Sequence, residues 1–206
     1  QLSSPEKAME KRSGKFSRSE DGTLEGEARI EFSGHIAVFH KEYNDDDTPA
    51  QREQTLRSIV KSNILGNAEI SDFTIENVSD PDKPFIYIFK VRVPGYATRT
   101  GKRIFLQPNI FERGSKPMFT ATNRRYDVSF DYPWAEKDDI TIELPAGYSL
   151  ESPDVPQLVK DGQGISLNDI KMSITKDGKT LTYKRDFYFG GGGFLYFPAK
   201  SYTAIK

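Results

Sequence analysis

The sequence has 206 residues, enough for one large or two modest domains with buried cores, and 29 Lys and Arg against 30 Asp and Glu leave a formal charge of −1. That balance, with no basic run, excludes a long-range pull toward nucleic acid or an anionic membrane surface. The absence of cysteine excludes disulfides, thiolate metal sites, iron–sulfur clusters and a cysteine nucleophile from these residues. The longest apolar run, Phe85 to Phe89, is far short of the ~20 residues of a membrane helix, so no membrane insertion is expected. No charged-then-apolar leader opens the sequence, so these residues are expected to hold no signal peptide. Aromatic residues reach 12%, led by Phe and Tyr, which favours pleated, half-buried surfaces.

Gln1 to Arg12 is polar, with Ser3-Ser4-Pro5 and then alternating charges, and reads as a linker over 1–12 that leaves something upstream. A hairpin follows: Gly14 to Ser19 runs into Glu20-Asp21-Gly22, an Asp-Gly turn. Beyond it Leu24, Gly26, Ala28, Ile30 and Phe32 alternate with Glu25, Glu27, Arg29 and Glu31, predicting a strand with one buried and one wet face.

One helix is predicted, over 49–65. Thr48 suits its N-cap, Pro49 its first position and Gln51 a capping box, with Asp45-Asp46-Asp47 at the positive end of the dipole. Leu56, Ile59 and Val60 supply its apolar stripe, Arg52, Glu53 and Arg57 its wet side, and Gly66 a stop. Packing of this helix on a sheet is expected. Strands resume at Ile70 to Val78 and at Phe85 to Val93, the latter with Ile86 and Ile88 extending apolar character to both faces. Pro94-Gly95 bends the chain, and Thr100-Gly101 turns it into Arg103 to Leu106.

The weakly patterned stretch Arg113 to Asn123 reads as a domain boundary. After it Tyr126, Val128, Phe130 and Tyr132 alternate with polar residues, as do Ile140, Ile142 and Leu144. Short strands are predicted at Ile170 to Ile174, Thr180 to Tyr183 and Phe187 to Phe189, with turns at Asp161-Gly162 and Asp177-Gly178. Tyr202 to Lys206 reads as the start of a helix, so the sequence is expected to stop before a native C-terminus. The expected fold is mainly β, one helix on a sheet, with two β-sandwich-like domains: 13–113, a connector at 114–123, and a second domain over 124–206 of immunoglobulin-like size.

The candidate chemical groups each have a plainer reading beside them. His35 and His40 lie five apart in one predicted β segment, which places them on opposite faces and spoils a shared metal. No nucleophile-elbow pattern accompanies either histidine. Asp45-Asp46-Asp47 lacks the spread ligands and bend glycine of a calcium loop and reads as capping. Gly190-Gly191-Gly192-Gly193 lacks the Lys-Ser/Thr of a phosphate loop and reads as a glycine turn between two aromatic strands. Asp138-Asp139 resembles a carboxylate pair, but its place at the head of a predicted strand makes it a turn. Trp134, with Tyr132 and Pro133, is either an exposed stacking platform or a half-buried seal beside Tyr126 or Phe130. No catalytic, cofactor-binding or metal-ligating residue is expected, and no cofactor.

Several stretches together carry a family resemblance. They are Asp21-Gly22-Thr23-Leu24-Glu25-Gly26, Phe32-Ser33-Gly34-His35, Pro49-Ala50-Gln51-Arg52-Glu53 and Val93-Pro94-Gly95-Tyr96-Ala97. Arg125 to Phe130, Asp139 to Ile142 and Leu144-Pro145-Ala146-Gly147-Tyr148 complete the set. From about residue 10 onward the sequence resembles the C-terminal, non-catalytic region of large bacterial transglutaminase-like proteins. In that family an N-terminal β-rich module of unknown function precedes a papain-like core. The resemblance implies that the catalytic Cys, His and Asp lie upstream, that none maps onto these residues, and that the protein is extracytoplasmic, in the periplasm or cell envelope. The expected role is therefore an accessory β module that packs on or positions the upstream transglutaminase-like domain of the same chain. The alternative is a carbohydrate- or peptide-binding module that meets an envelope glycan or peptide, motivated by aromatic richness and Trp134. No nucleic-acid partner is expected.

Overall fold

The computed structural model of the protein describes residues 4–43, 45–145, 147–149, 151 and 156–205. Gln1 to Ser3 of the polar lead, and Lys206, lie outside the described residues. In chain order the strands are β1 (Ala8–Arg18), β2 (Leu24–Gly34), β3 (Glu69–Glu76), β4 (Phe85–Val93), β5 (Thr98–Thr100) and β6 (Arg103–Phe105). There follow β7 (Val128–Ser129), β8 (Trp134–Glu143), β9 (Val159–Lys160), β10 (Ser166–Ile174), β11 (Thr180–Phe189) and β12 (Tyr196–Phe197). The helices are α1 (His35–Tyr43), α2 (Pro49–Ile64) and the short α3 (Tyr202–Ile205).

The fold is mainly β. Eight strands form one mixed sheet in the order β3-β4-β2-β1-β8-β11-β10-β9, so strands from both sides of the 114–123 stretch share it. β1 joins those two groups. It pairs antiparallel with β2 and parallel with β8, Arg12 lying opposite Asp138 and Phe16 opposite Ile142. The stretch read as linker is therefore sheet from Ala8 onward, behind a 3₁₀ turn at Pro5–Lys7. Its polar look arises because one of the buried positions of β1 is Arg12, whose partners lie on distant elements.

The hairpin turn forms where the Asp-Gly pair places it. Asp21 closes it by accepting from the Ser19 hydroxyl at 2.6 Å and the Thr23 amide at 3.0 Å. Period-2 alternation then sorts the sheet into two unlike faces. Phe16, Ala28, Ile30, Phe85, Tyr87, Phe89, Ile140, Ile142, Leu181 and Tyr183 share one buried cluster. Gly26 lies among them because a Cβ there would meet the Lys15 carbonyl oxygen at 2.0 Å and the Phe16 ring at 2.8 Å. The opposite face buries Met9, Ile86 and Ala135 and is otherwise laced by cross-strand ion pairs, among them Lys184–Asp139 at 3.2 Å and Lys137–Asp186 at 3.0 Å.

The apolar face is covered by α2 and by the segment around Tyr96, Ile110 and Phe111. α2 starts as its sequence requires, with the Thr48–Gln51 capping box formed. Leu56, Val60 and Ile64 are its buried residues and Ile59 packs at the margin. The Gly114 amide donates to the Asn63 carbonyl at 2.7 Å, tying the stretch after β6 to the end of α2. A second, smaller cluster of Val128, Phe197 and Tyr202 covers the other end of the same face.

α1 overturns one expectation. The segment holding both histidines is helix, not strand. Gly34, at φ +63°, turns the chain out of the sheet against the Lys7 carbonyl, and the helix starts at the next residue. The alternation of residues 24–32 gave no warning of that change of period.

Candidate functional site

Along the inward face of β1, β8 and β11 the side chains change character in successive rows. The Ile142–Leu181 and Ile140–Tyr183 rows are apolar. The next two rows hold Arg12, Asp138 and Arg185, then Glu10, Glu136 and Phe187. The last holds Trp134 and Phe189. A charged cluster thus separates the main core from an aromatic groove.

The charged cluster is compact. Asp138, with its side chain 0% exposed, accepts from Arg12 Nε at 2.6 Å and Arg12 Nη2 at 3.0 Å, a two-pronged contact. Arg12 Nη2 also reaches Glu112 at 2.7 Å and Glu136 at 3.3 Å. Arg185 Nη1 donates to Glu136 at 2.7 Å and Glu112 at 3.1 Å, while its Nε donates to Asn168 at 2.9 Å. Asn109 Nδ2 donates to Asp138 and to Glu112, each at 3.2 Å. Glu10 stands at the edge, 3.8 Å from Arg12 Nη1.

Four carboxylates meet two guanidinium groups here, so the cluster carries more acid than base. Burial pushes Glu10 up to about 7; Arg12 opposes this, while Glu136, Asp138 and Glu112 reinforce it as like charges. Burial also raises Glu136, but Arg12 and Arg185 beside it reverse that and hold it below its ordinary value. Burial works against the Arg12 charge, yet Glu10 and Asp138 more than restore it, raising its affinity for its proton.

The aromatic groove has a cavity volume of about 770 Å³ and is walled by Phe130, Trp134, Phe187, Phe189, Phe194 and Tyr196, with smaller apolar contributions. That volume lies within the ~300–1,000 Å³ range of ligand pockets. Trp134 is half-buried against Phe189 at 4.9 Å and Phe130 at 5.5 Å between ring centroids. Its indole N–H donates to Glu136 at 3.1 Å, linking the groove to the charged cluster. Phe194 and Tyr196 are 50% and 62% exposed, so the groove is open on that side. Among the described residues its lining holds one ionisable carboxylate, Asp161, and no lysine, arginine or histidine.

Of the two readings of Trp134, the half-buried seal beside Phe130 describes its contacts; Tyr126 is 84% exposed and is not its partner. Asp138 and Asp139 do not form a turn. β8 begins four residues earlier, at Trp134, and its alternation sends Asp138 into the cluster and Asp139 to Lys184 on the opposite face. His35 stacks on Tyr132 at 5.2 Å, while His40 lies against Phe32 at 4.0 Å and beside the Tyr87 hydroxyl at 3.1 Å. Burial lowers His40 to about 4, so its ring is neutral. Asp45 and Asp46 lie in the turn before α2, and the Asp47 carbonyl accepts from Arg52 at 3.1 Å. Gly191–Gly193 form a 3₁₀ turn between the aromatic strands β11 and β12.

Sequence reasoning missed Glu10, Arg12, Glu112, Glu136 and Arg185 altogether. A signal existed in strand parity: extending the Ile140–Ile142 alternation backward puts Asp138, Glu136 and Trp134 on the inward face. Arg185 shares parity with Tyr183 and Phe187 in the same way.

The fold and site define a β module with a one-sided mixed sheet, a buried ionic seam and an open aromatic groove. Residues 102–194 carry a match to the family described as a domain of unknown function with solved structure, DUF3858. The match takes in Glu112, β8, β10 and β11, and leaves β1, with Glu10 and Arg12, outside it. No curated protein matches the chain.

Proposed function

We propose that the chain is a non-catalytic accessory module of a transglutaminase-like protein, packing on or positioning a catalytic domain of the same polypeptide in the bacterial envelope. The observation that carries this reading is the mutual engagement of the ionisable groups. A general acid or base needs an atom within hydrogen-bond reach of a substrate proton. Here Asp138 is fully buried between Arg12 and Asn109, and Glu136 is shared among Arg12, Arg185 and Trp134. Such a network fastens strands together. The DUF3858 match and the resemblance of the turn and strand motifs support the same assignment. Peptide-hydrolysis and amine-incorporation assays on the isolated chain test it: no turnover is expected, and turnover that disappears in Glu136→Gln would overturn it.

A second reading, a module that binds an envelope peptide or glycan, is favoured by one specific feature. An open aromatic groove of ligand size is rimmed by Asp161, Gln163 and Ser166, the combination of apolar wall and few polar groups that small ligands require. Because Trp134 is the sole tryptophan, its emission reports occupancy directly.

A further inference from the structure

The aromatic groove has a charge signature that narrows its occupant. Asp161 is the one ionisable carboxylate among its described lining residues, and no basic side chain lines it. The Ser166 amide first, then that of Gln163, hold the Asp161 carboxyl below its ordinary value, so it stays charged. Two further acids touch the wall from outside: Glu136 accepts from the Trp134 indole, and Asp127 accepts from the Tyr196 hydroxyl. The chain's own cations show what these rings accept. Arg185 lies 4.8 Å over Phe187, and Arg124 lies 5.6 Å over Phe119. Those two arginines already cover one face of Phe187 and of Phe119, and the ring faces left open beside the Asp161 carboxylate are complementary to a further cation.

We propose that the groove binds a lysine side chain of a partner peptide, its methylene stem lying on Trp134, Phe187 and Phe194 and its ammonium meeting Asp161. Lysine fits better than arginine. Each Asp161 oxygen already accepts a backbone N–H, from Gln163 on one and Ser166 on the other. The Ile165 amide and the Ser166 hydroxyl donate to the same carboxylate, so no free two-oxygen edge is left for a guanidinium fork. A point-charge ammonium on a flexible apolar stem needs one acceptor and an apolar wall. This inference rests on the second reading above, that the groove binds a ligand.

Trp134 emission of the intact chain is titrated with the acetylated, amidated tripeptide Ala-Lys-Ala, with its norleucine counterpart, which keeps the stem and lacks the charge, and with a panel of envelope oligosaccharides. A shift with the lysine peptide about tenfold tighter than with the norleucine peptide, weakening as salt rises, is the expected result. Asp161→Asn should erase that preference. Phe194→Ala, a change at an exposed ring that leaves the fold standing, should weaken both peptides. Equal binding of the two peptides would overturn the ammonium contact. A response to oligosaccharides alone would overturn the lysine assignment and leave a glycan-binding module. Silence toward every probe would overturn both the inference and the reading beneath it.

Discussion

Glu10 enters the ionic cluster from β1 with Arg12 Nη1 at 3.8 Å and three other carboxylates around it. Burial and those like charges lift it from 4.5 to about 7, against the pull of Arg12. Tyr87, which burial and then Glu10 push well above the ordinary phenol range, contributes no charge to offset this. The sign of the consequence is set by proton binding. Between pH 4.5 and 7 the folded chain keeps a proton on Glu10 that the unfolded chain has released, so stability falls as pH rises through that window. Glu10→Gln removes the effect. It should leave stability near pH 4.5 unchanged and raise it at pH 8 by about 1–3 kcal/mol in urea unfolding. A variant less stable than the parent at pH 8 would show that the ionised carboxylate supports the cluster.

At the scale of elements, the parallel pairing of β1 with β8 is where register must be fixed without a turn, since the two strands are more than a hundred residues apart in sequence. The Arg12–Asp138 pair supplies a discrete lock at the middle of that ladder, because a slip by one residue would leave buried charges unpaired. Asp138→Asn should therefore cost about 3–5 kcal/mol of unfolding free energy, read from the urea midpoint at unchanged slope. A loss near zero would mean that the lock is dispensable.

The same contrast between local and distant partners explains what was legible in the sequence. The Asp-Gly turn, the alternation of residues 24–32, the capping box of α2 and the glycine turn after β11 are set by neighbours within a few residues, and each appears where the sequence places it. β1 did not, because its meaning lies in Asp138 and Glu112. α1 was hidden by the single backbone choice at Gly34. The groove was partly legible: Trp134 and the aromatic run of residues 187–197 are visible in the sequence, but only the β8–β11 pairing brings them into one wall.

Across the chain, one sheet carries two unlike surfaces, an outer face dominated by paired lysines and acids and an inward face that passes from core to charged seam to aromatic groove. Among the described residues no helix is long and apolar enough to cross a membrane. The groove sits at the end of strands whose other ends are locked in the main core, so its geometry depends on β1 holding β2 and β8 together. Unfolding in urea, followed at once by Trp134 emission at the groove and by amide exchange in β2 and β4, tests that dependence directly. A single shared midpoint is predicted, since both probes report the same eight strands. A Trp134 transition that precedes the loss of β2 and β4 protection would contradict it, and would make the groove the property of a separately folding half.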